Sequence, residues 1–158
     1  MKAADGDFII ICAYMPFFDA SNRARCMAET VDAISMVETI IENHPRHKFI
    51  LGGDLNTELV GASPFDAHWN DLLSKFQLTY CDSRFPSNST TYRHKTLNQE
   101  KWSDHFVVSN TLMTNQRLSN FSILGEGDNQ SDHLPILSCL RKRPALPFQR
   151  KQIHNDRR

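Results

Sequence analysis

After a short polar lead, the chain enters Phe8-Ile9-Ile10-Ile11-Cys12-Ala13-Tyr14, an unbroken apolar run enriched in β-branched residues. Such a run, with no polar alternation, reads as a strand buried on both faces, and Pro16 ends it. From Ser21 to about Asn43, apolar side chains recur at Met27, Val31, Ile34, Val37 and Ile41, which predicts an amphipathic helix with Asp19 or Ser21 at its cap. His44-Pro45 closes it, and Lys48-Phe49-Ile50-Leu51 gives a second buried strand running into Gly52-Gly53. A further helix is expected from Ser63 to Phe76, with Pro64 in its first turn and Phe65, Trp69, Leu72, Leu73 and Phe76 on one face. Beyond Gln77 the pattern shortens to strand candidates between Ser/Asn/Pro turns: Leu78–Cys81, Thr90–His94, His105–Ser109, Phe121–Leu124 and Leu134–Leu140. Strand, helix, strand followed by a mostly β half predicts a mixed α/β (α+β) fold.

Composition narrows this picture. A chain of 158 residues has room for one domain with a core, and no stretch approaches the roughly 20 apolar residues of a membrane helix. The N-terminus lacks a secretory h-region and cleavage site, so the expected setting is intracellular, nuclear or cytoplasmic. Cys12, Cys26, Cys81 and Cys139 are scattered without a C-x-x-C pair, which argues against a zinc module or a disulfide framework and for reduced, mostly buried thiols. The net charge of zero hides an asymmetry: residues 141–158 hold seven Lys/Arg and one Asp, so the tail carries about +6 and the body about −6. We therefore divide the chain into a domain, 1–140, and a basic, disordered tail, 141–158. Such a tail either meets phosphate, acts as a localisation signal, or is a solvated linker.

Three segments carry candidate chemistry. Gly52-Gly53-Asp54-Leu55-Asn56 leaves the C-terminal end of a hydrophobic strand, where α/β sheets place ligands, with Asp54 and Asn56 on the same side of the chain. Taken alone, that sequence is equally ordinary turn chemistry. Ser131-Asp132-His133-Leu134-Pro135 sets a carboxylate beside an imidazole at the head of the last apolar strand, suited to a divalent metal and to charge stabilisation. Trp102-Ser103-Asp104-His105-Phe106-Val107-Val108-Ser109 puts a carboxylate at the head of another strand, where burial demands a partner such as histidine. His44, His47, His68 and His154 have no such setting and read as structural or solvated.

In this order the three segments resemble the signature of the endonuclease/exonuclease/phosphatase superfamily: G-D-[FL]-N, a strand opening within W-x-D-[HY]-[FI], then S-D-H-x-P. Ala13-Tyr14-Met15-Pro16 is similar to its Y-x-P segment. Ser89-Thr90-Thr91-Tyr92-Arg93-His94 and the Trp102–Ser109 segment resemble the endonucleases of LINE-type (non-LTR) retrotransposons in particular. The resemblance runs from about Phe8 to Leu140 and covers somewhat more than half of the family's domain.

What the resemblance implies is a partial four-layer α/β sandwich of the DNase I-like type without its N-terminal β-layer, and with that layer the family's Asn and metal-binding Glu. It implies metal-dependent phosphodiester hydrolysis, with DNA nicking as the leading function. The alternatives are a phosphatase or phosphodiesterase of the same fold, and an inactive remnant or binding module. The implied catalytic residues are Tyr14, Asp54, Asn56, Asp104 and His133, the implied ligands of Mg²⁺ (or Mn²⁺) are Asp54, Asn56 and Asp132, and the implied partner domain is a reverse transcriptase in the same polyprotein. Arg93 and Lys95, beside Tyr92 on a strand or hairpin tip, are expected either to contact DNA phosphate or to decorate a solvated hairpin. Phe17 stands where many family nucleases have a phosphate-contacting Asn, and Ser103 where an apolar residue is usual.

Overall fold

The apolar run at the N-terminus folds as strand β1 (Phe8–Tyr14), but only one of its faces is covered along its length, the other only at Phe8. Ile9, Ile11 and Ala13 pack into the core, whereas Ile10 is 76% and Tyr14 78% exposed. The computed structural model describes residues 7–58, 64–83, 90–94, 96–114, 118–125 and 131–141; Lys95, with residues 142–158 of the basic tail, lies outside them.

Helix α1 (Arg23–Asn43) follows a short 3-10 turn capped by Asp19, whose side chain accepts the Ser21 N–H. The expected stripe is found at Ile34, Val37 and Ile41, while in the first turns Cys26 and Thr30 are the buried residues and Met27 and Val31 only half so. The chain returns through β2 (Lys48–Asp54), parallel to β1, so α1 is the crossover that a parallel pair requires. Helix α2 (Pro64–Lys75) lies beside α1, with Lys75 Nζ 3.0 Å from Glu42 and 3.5 Å from Glu38.

The remaining elements are short: β3 (Leu78–Tyr80), β4 (Tyr92–His94), β5 (Gln99–Lys101), β6 (Asp104–Ser109), helix α3 (Asn110–Thr114), β7 (Leu118–Ile123) and β8 (Ile136–Leu140). Strand β3 stops before Cys81, which opens a 3-10 turn, and β8 starts two residues later than expected because Pro135 has no N–H for a ladder. The sheet order β1-β2-β6-β3 puts β6 antiparallel between β2 and β3; β4 with β5, and β7 with β8, form separate hairpin-like pairs.

Two cores follow from this arrangement. On one sheet face Phe49, Leu51 and Val107 meet Ile34, Val37 and Ile41 of α1 and Trp69, Leu72 and Leu73 of α2. On the other, Ile50, Phe106 and Val108 meet Leu118 and Phe121 of β7 and Ile136 of β8. Helices, central sheet and β7–β8 pair thus form stacked layers of a mixed α/β sandwich of the DNase I-like type. On β1 this second core reaches only Phe8, so Ile10 and Tyr14 further along the strand stay uncovered and the both-face burial expected for β1 does not hold. Cys12 on that uncovered face and Cys139 in β8 are exposed, against the expectation of mostly buried thiols; Cys26 and Cys81 are buried, and none of the four is in a disulfide. Burial, with Asp82 alongside, pushes the Cys81 thiol up to about 12. Among the described residues no helix is long and apolar enough to cross a membrane.

Candidate active site

Three strands end side by side. Tyr14 pairs with Asp54 across β1 and β2, and Asp54 with Asp104 across β2 and β6, so the three side chains leave one face of the sheet in a row. The row exists because Gly53, just before Asp54, adopts φ 145 and lets its backbone lie close against Ala13. Past β2 the chain turns sharply through Asn56, held at a positive φ of 49 that Asn tolerates better than most residues.

The segment carrying His133 crosses this row from the other side. Leu134 N–H donates to Thr91 O (2.7 Å), Arg93 N–H to Asp132 O (2.9 Å), and Tyr92 bridges His133. The imidazole packs on the Tyr92 ring, centroids 4.9 Å apart, and Nδ1 donates to Asp104 Oδ2 at 2.9 Å. That bond leaves Nε2 directed to the Asp54 side, 3.9 Å from Asp54 Oδ2. Asp104 is placed by Thr91, a fully buried residue whose hydroxyl accepts the N–H groups of both Ser103 and Asp104 at 3.0 Å.

Electrostatics distinguish the two central groups. Burial raises the Asp54 carboxyl above its ordinary 3.8; the Asn56 N–H and His133 oppose this, and Asp104 adds to it. For His133, burial alone lowers the pKa, but the Asp104 hydrogen bond and the negative charges of Asp104, Asp54 and Asp132 outweigh it, raising the imidazole above its ordinary 6.5. The site therefore favours a charged imidazole beside a carboxylate that takes a proton more readily than an exposed one.

Asp54, Asp104, His133 and, at the edge, Tyr14 and Asp132 gather here. Asn56 joins them differently from expectation: its main-chain N–H, not its amide, bonds Asp54 Oδ1 (3.0 Å), and Nδ2 donates to Met15 O (2.7 Å). Arg93 is turned to the hairpin, its Nε 2.8 Å from Glu100 Oε1. Among the described residues no three His, Cys, Asp or Glu side chains are grouped to hold a metal ion, so Asp54, Asn56 and Asp132 do not by themselves complete a Mg²⁺ or Mn²⁺ site. The supporting Thr91 and Tyr92 stand in the segment singled out from sequence, but nothing in the sequence marks them as the seat of Asp104 and His133.

No family model matches the sequence, and no curated protein matches it. Solved structures do. An endonuclease/exonuclease/phosphatase family protein from Bacteroides thetaiotaomicron superposes with a TM-score of 0.56 at 17% identity, over 85% of this chain and 50% of its own. A 3′ phosphatase from Neisseria bound to product DNA hairpin superposes with a TM-score of 0.63 at 17% identity, over 84% of this chain and 61% of its own. At such identity the likeness concerns the fold, and the chain spans 50% and 61% of the lengths of these neighbours.

Proposed function

We propose that this chain forms the catalytic part of a phosphodiesterase that nicks DNA on behalf of a LINE-type retroelement, with a reverse transcriptase in the same polyprotein. The observation that carries the reading is His133, fixed by Asp104 at 2.9 Å and facing Asp54 at 3.9 Å on the edge of a DNase I-like sheet. Residues 1–140 are the working domain in this proposal, and 141–158 an appended basic tail.

Phosphoryl transfer needs an in-line nucleophile and neutralisation of charge on the equatorial oxygens. Asp54, its Oδ1 steadied by the Asn56 N–H, orients a water and takes its proton as the new O–P bond forms and the P–O bond to the leaving sugar breaks. His133 donates through Nε2–H to a non-bridging oxygen as charge builds there, and Asp104 keeps that nitrogen aimed. Tyr14, exposed beside Asp54, contacts the same phosphoryl group. Dependence on Mg²⁺ or Mn²⁺ belongs to the proposal, with Asp54, Asn56 and Asp132 on the metal side; the described residues leave the coordination shell incomplete, and the roles above are those of the side chains themselves. Phosphate contacts along the strand fall to Lys95 and to Arg93 once released from Glu100.

Incubation of the chain with supercoiled plasmid in Mg²⁺ should give nicked circles, and EDTA should stop it. Release of inorganic phosphate from a 3′-phosphorylated oligonucleotide without nicking would select the phosphatase reading, which the Neisseria neighbour favours. Neither product would select the inactive, binding-module reading, which the incomplete metal shell favours.

The same roles fix the pH profile. Asp54 must be ionised and His133 protonated, and both pKa values are raised. Activity is therefore lost on the acid side above the usual carboxylate range and persists on the alkaline side beyond the ordinary imidazole value of 6.5. The ion pair's contribution to stability has the matching sign: it is full below the unfolded histidine's pKa and disappears as pH rises through the raised folded value. Asp104→Asn removes the hydrogen-bonded charge and should draw the alkaline limb of a kcat profile to lower pH, and the acid limb in the same direction to a smaller extent, because the Asp104 charge also helps to raise Asp54. An unmoved alkaline limb would detach His133 from it.

A further inference from the structure

On the other face of β6 from Asp104, a second histidine is walled in. His105 is 0% exposed; its Nδ1 lies 2.7 Å from Asp82 Oδ2 in the turn after β3, and its Nε2 lies 2.7 Å from the Thr57 carbonyl. A carbonyl only accepts, so Nε2 carries a hydrogen and donates it, and a second proton is held between Nδ1 and the Asp82 carboxylate. Core packing asks for none of this. An apolar side chain opposite Gly53 would fill the space without burying an imidazole and a carboxylate, and the other Asp82 oxygen, Oδ1, is buried without a hydrogen-bond partner among the described residues, which adds to the cost.

What the arrangement secures is Thr57, which ends the turn that begins at Asp54. Its carbonyl is gripped by His105 and its hydroxyl by Asp66 of α2, itself buried. Between those two anchors and β2 sits Asn56, in a left-handed conformation that is unfavourable unless its surroundings fix it. In that conformation its N–H meets Asp54 Oδ1 and its Nδ2 meets Met15 O. Release of the Thr57 carbonyl frees the turn to relax toward ordinary backbone angles and removes the N–H that aims the Asp54 carboxylate.

We infer that His105 is a positioning residue: its Nε2–H, held in orientation by Asp82, pins the Thr57 carbonyl and through the Asn56 turn aims Asp54 at the reacting centre. The inference rests on the reading of Asp54 as the base of a phosphodiesterase.

The two ring nitrogens can be separated by substitution. In His105→Gln the amide nitrogen takes roughly the place of Nε2 and can still donate to Thr57; in His105→Asn it takes that of Nδ1 and meets only Asp82. With plasmid and Mg²⁺, His105→Gln should keep kcat within about threefold, and His105→Asn should lose about ten- to a hundredfold in kcat at unchanged KM, the order expected when a reacting group is displaced by a fraction of an ångström to one ångström. Urea midpoints should fall by similar amounts in both. Equal kcat in the two variants, or loss of kcat that follows the urea midpoint, overturns the inference. Should His105→Asn not fold, Asp82→Asn replaces it, with a several-fold fall in kcat expected and an unchanged kcat counting against the role. Amide resonances of Asn56 and Thr57 give a readout independent of catalysis: displacement in His105→Asn but not in His105→Gln supports the positioning even if the wild-type chain cleaves nothing, in which case only the proposed activity fails. Undisplaced resonances in both variants overturn the positioning itself.

Discussion

His133→Ala is expected to lower plasmid nicking by about 10²–10³-fold, the range for loss of one donor aimed at developing charge. The size follows from where the imidazole stands. Its side chain is only about one-third exposed, its Nδ1 is committed to Asp104, and its Nε2 lies 3.9 Å from Asp54 Oδ2. KM should change little if the interaction strengthens only as charge builds on phosphorus-bound oxygen. His133→Gln, which keeps a donor near Nε2 but no charge, should recover part of the rate. Combining His133→Ala with Asp104→Asn should cost scarcely more than His133→Ala alone, because Asp104 acts through the ring it holds. Additive losses in the double variant would give Asp104 a task of its own, and an unaffected His133→Ala would remove the central observation behind the proposed activity.

How much of this was legible in the sequence depends on whether the signal is local. Gly52-Gly53-Asp54 could be read because an apolar run ends there, and a strand end is where a side chain becomes available to a ligand. The two helices were legible from spacing, although Cys26 and Thr30 replaced Met27 and Val31 as the buried pair near the start of α1, where the helix departs from the 3-10 turn. The burial of β1 was not legible, since a run without alternation cannot report that one of its faces lacks a covering layer. Strand β5 was missed because Gln99-Glu100-Lys101 has no apolar residue; without it, the Arg93–Glu100 pair could not be anticipated, and Arg93 was left between phosphate contact and a solvated hairpin. The Thr57–His105–Asp82 linkage brings together residues 48 and 23 positions apart, and no local pattern encodes such an approach.

Gly53→Ala is expected to be the most destabilising alanine substitution among the described glycines, costing about 3 kcal/mol or more, while Gly52→Ala next to it costs about 1–3 kcal/mol. The two glycines look alike in sequence and differ in what a methyl would strike. At Gly52 the added carbon would fall 2.5 Å from Phe106 Cε1, a ring edge that can rotate against Phe121 at some loss of packing. At Gly53 it would collide with the carbonyl oxygen of Ala13, at a φ of 145 that a side chain also disfavours. That oxygen belongs to the backbone of β1 opposite Gly53, so it cannot withdraw without prising β1 from β2. The damage would reach the site, because the same register sets Tyr14 beside Asp54 and lets Met15 N–H donate to Asp54 O at 2.9 Å. Urea unfolding of the two variants side by side measures the difference, and nicking by whatever Gly53→Ala protein remains folded should fall with it. Equal midpoints for the two alanine variants would mean that β1 shifts freely against β2, and a strand so easily moved could not hold Tyr14 in line with Asp54 and Asp104.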